Sequence, residues 1–191
     1  DLLFYEGQHG GLMANTWTRR KLDSRHFPPE IDRRAGRQGI DVAQHVDLLI
    51  GVAPAINLEW IQKIHRDCKK GTCSPEESVE TILRRMDDYI HYLVPQFGLT
   101  DFNIQRMPLV DTSDPFIARD VPLADESLCV IHFRDRKRHD FPGLLKRIPD
   151  AYMSRPTTMV IPSKSLRLAL DVICSPILAG FMALRGDQPG T

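Results

Sequence analysis

Apolar residues recur at helical spacing across residues 57–70. Leu58, Ile61, Ile64, His65 and Cys68 share one face, and Glu59, Lys63, Arg66, Asp67 and Lys70 share another. This division predicts an amphipathic helix. The apolar run from Val46 to Ala53, closed by Pro54, reads as a buried strand leading into it. A shorter run, Leu2 to Tyr5, reads as an earlier buried strand that ends in the glycine-rich turn Glu6-Gly7-Gln8-His9-Gly10-Gly11. Between them, residues 12–39 are rich in arginine and broken by Pro28, Pro29, Gly36 and Gly39, which predicts a basic surface excursion. Ser74-Pro75-Glu76-Glu77 carries the signature of a capped helix start. The buried face of that helix is expected to hold Val79, Ile82, Leu83, Met86, Ile90 and Leu93, with Pro95 as its stop.

Farther on, Phe102 to Met107 alternates as a strand does, with Leu109 and Val110 extending it toward a turn-rich loop at 111–116. Leu128 to Phe133 and Thr157 to Ile161 read as strands. Residues 134–140 form a basic turn, Phe141 to Ile148 a short helix, Leu166 to Leu184 an apolar helix containing Pro176, and 186–191 a frayed tail. Strand, excursion, strand, helix is the order of an α/β fold. The expectation is a mixed, mostly parallel sheet with flanking helices and antiparallel additions from Phe102 onward.

Composition narrows the function. The 191 residues suffice for one core and are read as a single domain. Lys+Arg and Asp+Glu balance at 25 each, so no overall field argues for nucleic acid or a membrane surface. No run approaches the roughly 20 apolar residues of a membrane span. The opening residues lack a Met and a basic region, unlike a signal peptide. A chain that opens on a buried strand is expected to continue upstream. The four cysteines (Cys68, Cys73, Cys129 and Cys174) lack zinc spacing and read as reduced thiols of a cytoplasmic protein.

Several charged groups carry two readings. The polar face of the 57–70 helix is either an ordinary solvated face or a row of cations beside a carboxylate, aimed at a polyanion and its metal. Glu6 would stand at the C-terminal end of a strand, where open α/β sheets bind ligands and where an acid can hold Mg²⁺; otherwise it is a turn residue. Arg84 and Arg85 stand off the apolar face of their helix, free to meet phosphate or to pair with Asp87 and Asp88.

Taken together, these residues resemble the phosphoribulokinases of the bacterial type. The likeness rests on Phe4-Tyr5-Glu6-Gly7-Gln8-His9-Gly10 and on Asn57-Leu58-Glu59-Trp60-Ile61-Gln62-Lys63-Ile64-His65-Arg66-Asp67. It continues through residues 82–86, 95–97, 110–116, 125–127 and 153–155, and leaves aside the basic excursion. The resemblance implies the C-terminal part of a P-loop kinase that moves the γ-phosphoryl of ATP onto the 1-hydroxyl of ribulose 5-phosphate in the Calvin cycle, with Mg²⁺ as cofactor. It implies catalytic roles for Lys63, Arg66 and Asp67, with Glu6 and Asp67 at the metal. Arg84 and Arg85 match a pair near phosphate or effector sites. His9 lines the sugar phosphate site or is a structural turn histidine. Where the family often carries an arginine before a glycine, this chain has Cys68-Lys69-Lys70-Gly71, so Lys69 or Lys70 is expected to meet the sugar phosphate. The family's phosphate loop and its aspartate base are absent, so the fragment alone is expected to be inactive. Homo-oligomers are expected, without nucleic acid or membrane partners. Two alternatives stand beside this one: a uridine-kinase-like enzyme, and a non-catalytic assembly or regulatory module of the same fold.

Overall fold

A computed structural model describes residues 3–7, 46–71, 73–116 and 120–186. The basic excursion at 12–39, His9 and the expected tail beyond Gly186 lie outside the described residues. The strands are β1 (Ile50–Pro54), β2 (Phe102–Pro108), β3 (Ser127–Phe133), β4 (Tyr152–Arg155) and β5 (Thr158–Pro162). The helices are α1 (Ile56–Lys69), α2 (Pro75–Arg84), α3 (Phe141–Arg147) and α4 (Leu166–Gly186).

The strands form one sheet in the order β1-β2-β3-β5-β4. β1 and β2 run parallel, with Ile50 opposite Phe102 and Pro54 opposite Arg106. The pairs β2·β3, β3·β5 and β4·β5 are antiparallel. The sheet is therefore mixed, as expected, and antiparallel pairing predominates among the described strands.

Alternation builds the core. Ser127, Cys129, Ile131 and Phe133 are buried while the residues between them are not, so β3 presents one packed face. Phe102 and Ile104 of β2 and Met159 and Ile161 of β5 join it across the ladder. Phe141 and Leu144 of α3 and Ala169, Val172 and Ile173 of α4 close the cluster. The last three recur at i, i+3 and i+4, the spacing of one helix stripe. Phe133 stacks obliquely on Phe102 at 5.8 Å and edge-on against Phe141 at 5.1 Å. Full burial of each such ring contributes roughly 1.5–3 kcal/mol.

A polar knot ties the N-terminal ends of the parallel pair. The Asp101 carboxylate accepts from the Leu49 amide at 2.9 Å and from Arg134, whose guanidinium also donates to the Leu99 carbonyl at 2.7 Å. The open cleft beside it, about 250 Å³, is lined by Asp101, Arg134, Asp135, Arg138 and His139. Its acids and arginines bridge one another, so the cleft is part of the tie.

Several expectations need correction. Leu3, Phe4 and Tyr5 are exposed and belong to no strand, because no described strand runs beside them to supply ladder partners. Glu6 is exposed in the same segment rather than ending a strand. The strand expected over Val46 to Ala53 is confined to Ile50–Pro54. On the second helix only Ile82 of the expected face is buried; Leu83 and Ile90 are exposed. The helix also breaks at Arg85 and continues as a single turn (Met86–Asp88), a π-helical turn (Tyr89–Leu93) and a 3₁₀ turn (Val94–Gly98) containing Pro95. That break rotates later residues out of register with the apolar stripe. Strand β4 carries no apolar alternation that signals it. Finally, Ser163–Leu184 is long and apolar enough, by length and composition, to cross a membrane. Its Ala169, Val172 and Ile173 pack into the core described above.

Candidate functional site

The C-terminal ends of β1 and β2 lie side by side, and in open α/β sheets ligands bind at that edge. Helix α1 starts there. It has no side-chain cap; instead the Ala55 amide donates to the Arg106 carbonyl at 2.7 Å, which ties the helix start to the end of β2. Leu58, Ile61 and Ile64 are buried, as their spacing predicts. Gly71 ends the helix with φ of 65°, a left-handed conformation that suits glycine.

Lys63, Arg66 and Asp67 come together on α1. Lys63 donates to Asp67 Oδ2, and Arg66 Nε lies 3.6 Å from Oδ1. From α2, the buried Ser78 hydroxyl approaches Asp67 Oδ2 at 3.5 Å. The hydrogen bond from Lys63 holds the Asp67 carboxyl below its ordinary range, and the Arg66 charge adds to this. A carboxylate in the last turn of a helix stands at the negative pole of the helix dipole, and Lys before Asp at i, i+4 is the weaker order. The arrangement is therefore not one that maximises helix stability. It holds an ionised carboxylate between two cations.

Glu59, one turn before Lys63, is half-buried. Burial pushes its carboxyl up, against a hydrogen bond from Tyr89 and the charge of Arg66. Tyr89 opens the π-helical turn, and its hydroxyl is pushed up by burial and by Glu59. Lys69 and Lys70 are exposed at the C-terminal end of α1, and Arg84 and Arg85 at that of α2. Glu6 makes no ion pair or hydrogen bond with Lys63, Arg66 or Asp67. No group of three or more metal-binding side chains occurs among the described residues. In this cluster Asp67 would offer carboxylate oxygen, which suits Mg²⁺ held mainly by phosphates and water.

Some members of the site were not singled out from sequence. Ser78 carries no signal beyond its place four residues after the Ser74 cap. Asn57 Nδ2 donates to the Thr112 carbonyl at 2.8 Å, and the Trp60 ring stacks on Phe116 at 5.3 Å and 14°. These contacts join segments more than 50 residues apart, which periodicity cannot reveal.

The chain is similar to proteins of known family along most of its length. The model of the "Phosphoribulokinase / Uridine kinase family" matches residues 29–113. Phosphoribulokinase of Sinorhizobium medicae (strain WSM419) is 48% identical over 178 residues, 93% of this chain and 54% of that protein. The chromosomal phosphoribulokinase of Cupriavidus necator is 45% identical over 97% of this chain and 56% of its own length. A probable phosphoribulokinase of Escherichia coli (strain K12) is 42% identical over 95% of this chain and 55% of its own length. Among solved structures, phosphoribulokinase from Rhodobacter spheroides superposes with a TM-score of 0.69 at 48% identity, covering 75% of this chain and 51% of that one. The chain spans about half the length of the curated relatives it matches. Over three-quarters of the chain its fold is that of a phosphoribulokinase, a P-loop kinase fold, and along nearly all of its length its sequence is similar to about half of each phosphoribulokinase.

Proposed function

We propose that this chain is the C-terminal part of a cytoplasmic, homo-oligomeric kinase that transfers the γ-phosphoryl of ATP to the 1-hydroxyl of ribulose 5-phosphate. The hydroxyl gives up its proton to the aspartate base that the resemblance implies, its oxygen forms the new bond to phosphorus, the bond to the β–γ bridging oxygen breaks, and ADP leaves. The observation that carries this reading is the cluster of Lys63, Arg66 and Asp67 on a phosphoribulokinase-like helix at the C-terminal edge of the parallel pair. Phosphoryl transfer asks a protein mainly to position the reactants and to neutralise charge on the moving group. Lys63 and Arg66 are fixed cations suited to that work.

Asp67, kept ionised by its neighbours, would share Mg²⁺ with Glu6, and the metal would offset charge on the β- and γ-oxygens. Lys69, Lys70, Arg84, Arg85 and His9 would meet the sugar phosphate or an effector phosphate. The sequence contains no Gly-x4-Gly-Lys-Ser/Thr loop, so the 191 residues alone would not turn over. The test is ADP release by the complete protein with ribulose 5-phosphate and with uridine. The reading expects turnover on the sugar phosphate only. Turnover on uridine alone, or on neither, overturns it.

A further inference from the structure

Helix α1 is not seated in the main core. Leu58, Ile61 and Ile64 are buried, yet none belongs to the cluster formed by the sheet with α3 and α4. Beyond that buried stripe, α1 is joined to the segments around it by specific contacts, among them those from Ser78 to Asp67 and from Tyr89 to Glu59. Another is the backbone bond from Ala55 to Arg106. Two more run to the loop that follows β2: the Asn57 amide donates to the Thr112 carbonyl, and Trp60 lies flat on Phe116.

That loop is built to hold its position. The Ser113 amide donates to Asp111 Oδ1 at 2.8 Å and the Phe116 amide to Asp114 Oδ1 at 3.2 Å, which sets the backbone carrying Thr112 and Phe116. Pro115 is buried. Where the chain returns toward β3, Arg106 donates to Ser127 Oγ at 2.9 Å and to the Pro122 carbonyl at 2.7 Å.

Asn57, Trp60, Lys63 and Asp67 succeed one another at steps of three, three and four, so they lie along one stripe of α1. The stripe that grips the loop is the stripe that carries the charged cluster. We propose that Asn57 and Trp60 are positioning residues, which clamp α1 to the 111–116 loop and so fix where Lys63 and Asp67 stand relative to β1 and β2. The inference rests on the kinase reading for its effect on turnover, and on geometry alone for its effect on motion.

The experiment compares Trp60→Ala, Trp60→Phe and Asn57→Ala in the complete protein. Trp60→Ala is expected to lower kcat by up to roughly a hundredfold, the cost of a small misplacement, with the KM values for both substrates little changed. Asn57→Ala is expected to act in the same direction, and Trp60→Phe, which keeps a ring on Phe116, to recover most of the loss. Amide hydrogen exchange is expected to quicken in Trp60→Ala at both 63–67 and 111–116 while β3 and β5 stay protected. Quickening at one segment alone, quickening throughout, or no recovery in Trp60→Phe overturns the clamp. If the unsubstituted protein does not phosphorylate ribulose 5-phosphate, the kinase reading fails and hydrogen exchange still decides the clamp.

Discussion

Lys63 hydrogen-bonds the Asp67 carboxylate one helical turn along α1, on the oxygen that Arg66 does not face. A single carboxylate thus orients two cations, and each cation is held at a defined place on a rigid helix. Replacing Lys63 with Met keeps the length of the side chain and removes its charge. Turnover by the complete protein is expected to fall by roughly 10²–10³, the cost of losing one preorganised donor to a transition-state charge. Steady-state kcat/KM measures it, and a Lys63→Met protein of unchanged turnover would show that the cation serves only the helix.

The same pair sets a pH dependence. The Asp67 carboxyl lies below its ordinary range in the fold, chiefly through the bond from Lys63. Its contribution to stability is present above the unfolded carboxylate range and is lost only as pH falls through the depressed folded value. Thermal unfolding of the native protein and of Asp67→Asn should therefore differ by a constant amount between pH 6 and 8, and the gap should close in acid.

Glu59 carries the opposite sign. Burial raises its carboxyl in the fold, so its ionised form costs stability at neutral pH, and that cost disappears as pH falls below the unfolded value. Glu59→Gln can still bond to Tyr89 but carries no charge. The stability of Glu59→Gln relative to the native protein is expected to rise between pH 4 and pH 7, as read from melting temperatures. A gap independent of pH would mean that Glu59 is ionised as easily in the fold as out of it.

Gly51 on β1 lies against Asn103 on β2. A Cβ built at Gly51 comes within 2.1 Å of Asn103 Oδ1 and 2.8 Å of the Phe97 ring. Asn103 cannot withdraw freely, because its amide donates to the Phe97 carbonyl at 2.9 Å and its oxygen accepts from Thr100 at 2.6 Å. Gly51→Ala is expected to destabilise the fold by about 1–3 kcal/mol, as overpacking does, measured by denaturant unfolding.

At the start of α2, Ser74 accepts from the Glu77 amide at 3.2 Å while Glu77 accepts from the Ser74 amide at 2.8 Å. Ser74→Ala should cost about 1 kcal/mol and quicken exchange in the first turn of α2. This box was readable in the sequence, because capping is a local matter of four consecutive residues.

The sequence by itself determined what depends on neighbours along the chain. It specified α1 and its buried stripe, the cap of α2, strands β2, β3 and β5 to within a residue or two, and the membership of Lys63, Arg66 and Asp67 in one charged face. Hydrogen-bond period and side-chain spacing are local, so these features are written in order. Only the tertiary structure decided the antiparallel balance of the sheet, the exposure of Leu3 to Tyr5, the break at Arg85 and the partners of Asn57, Trp60 and Ser78. Each depends on which distant segment arrives alongside. A strand exists only when another lies within bonding distance, and an aromatic ring or an amide finds its partner in space rather than by its period.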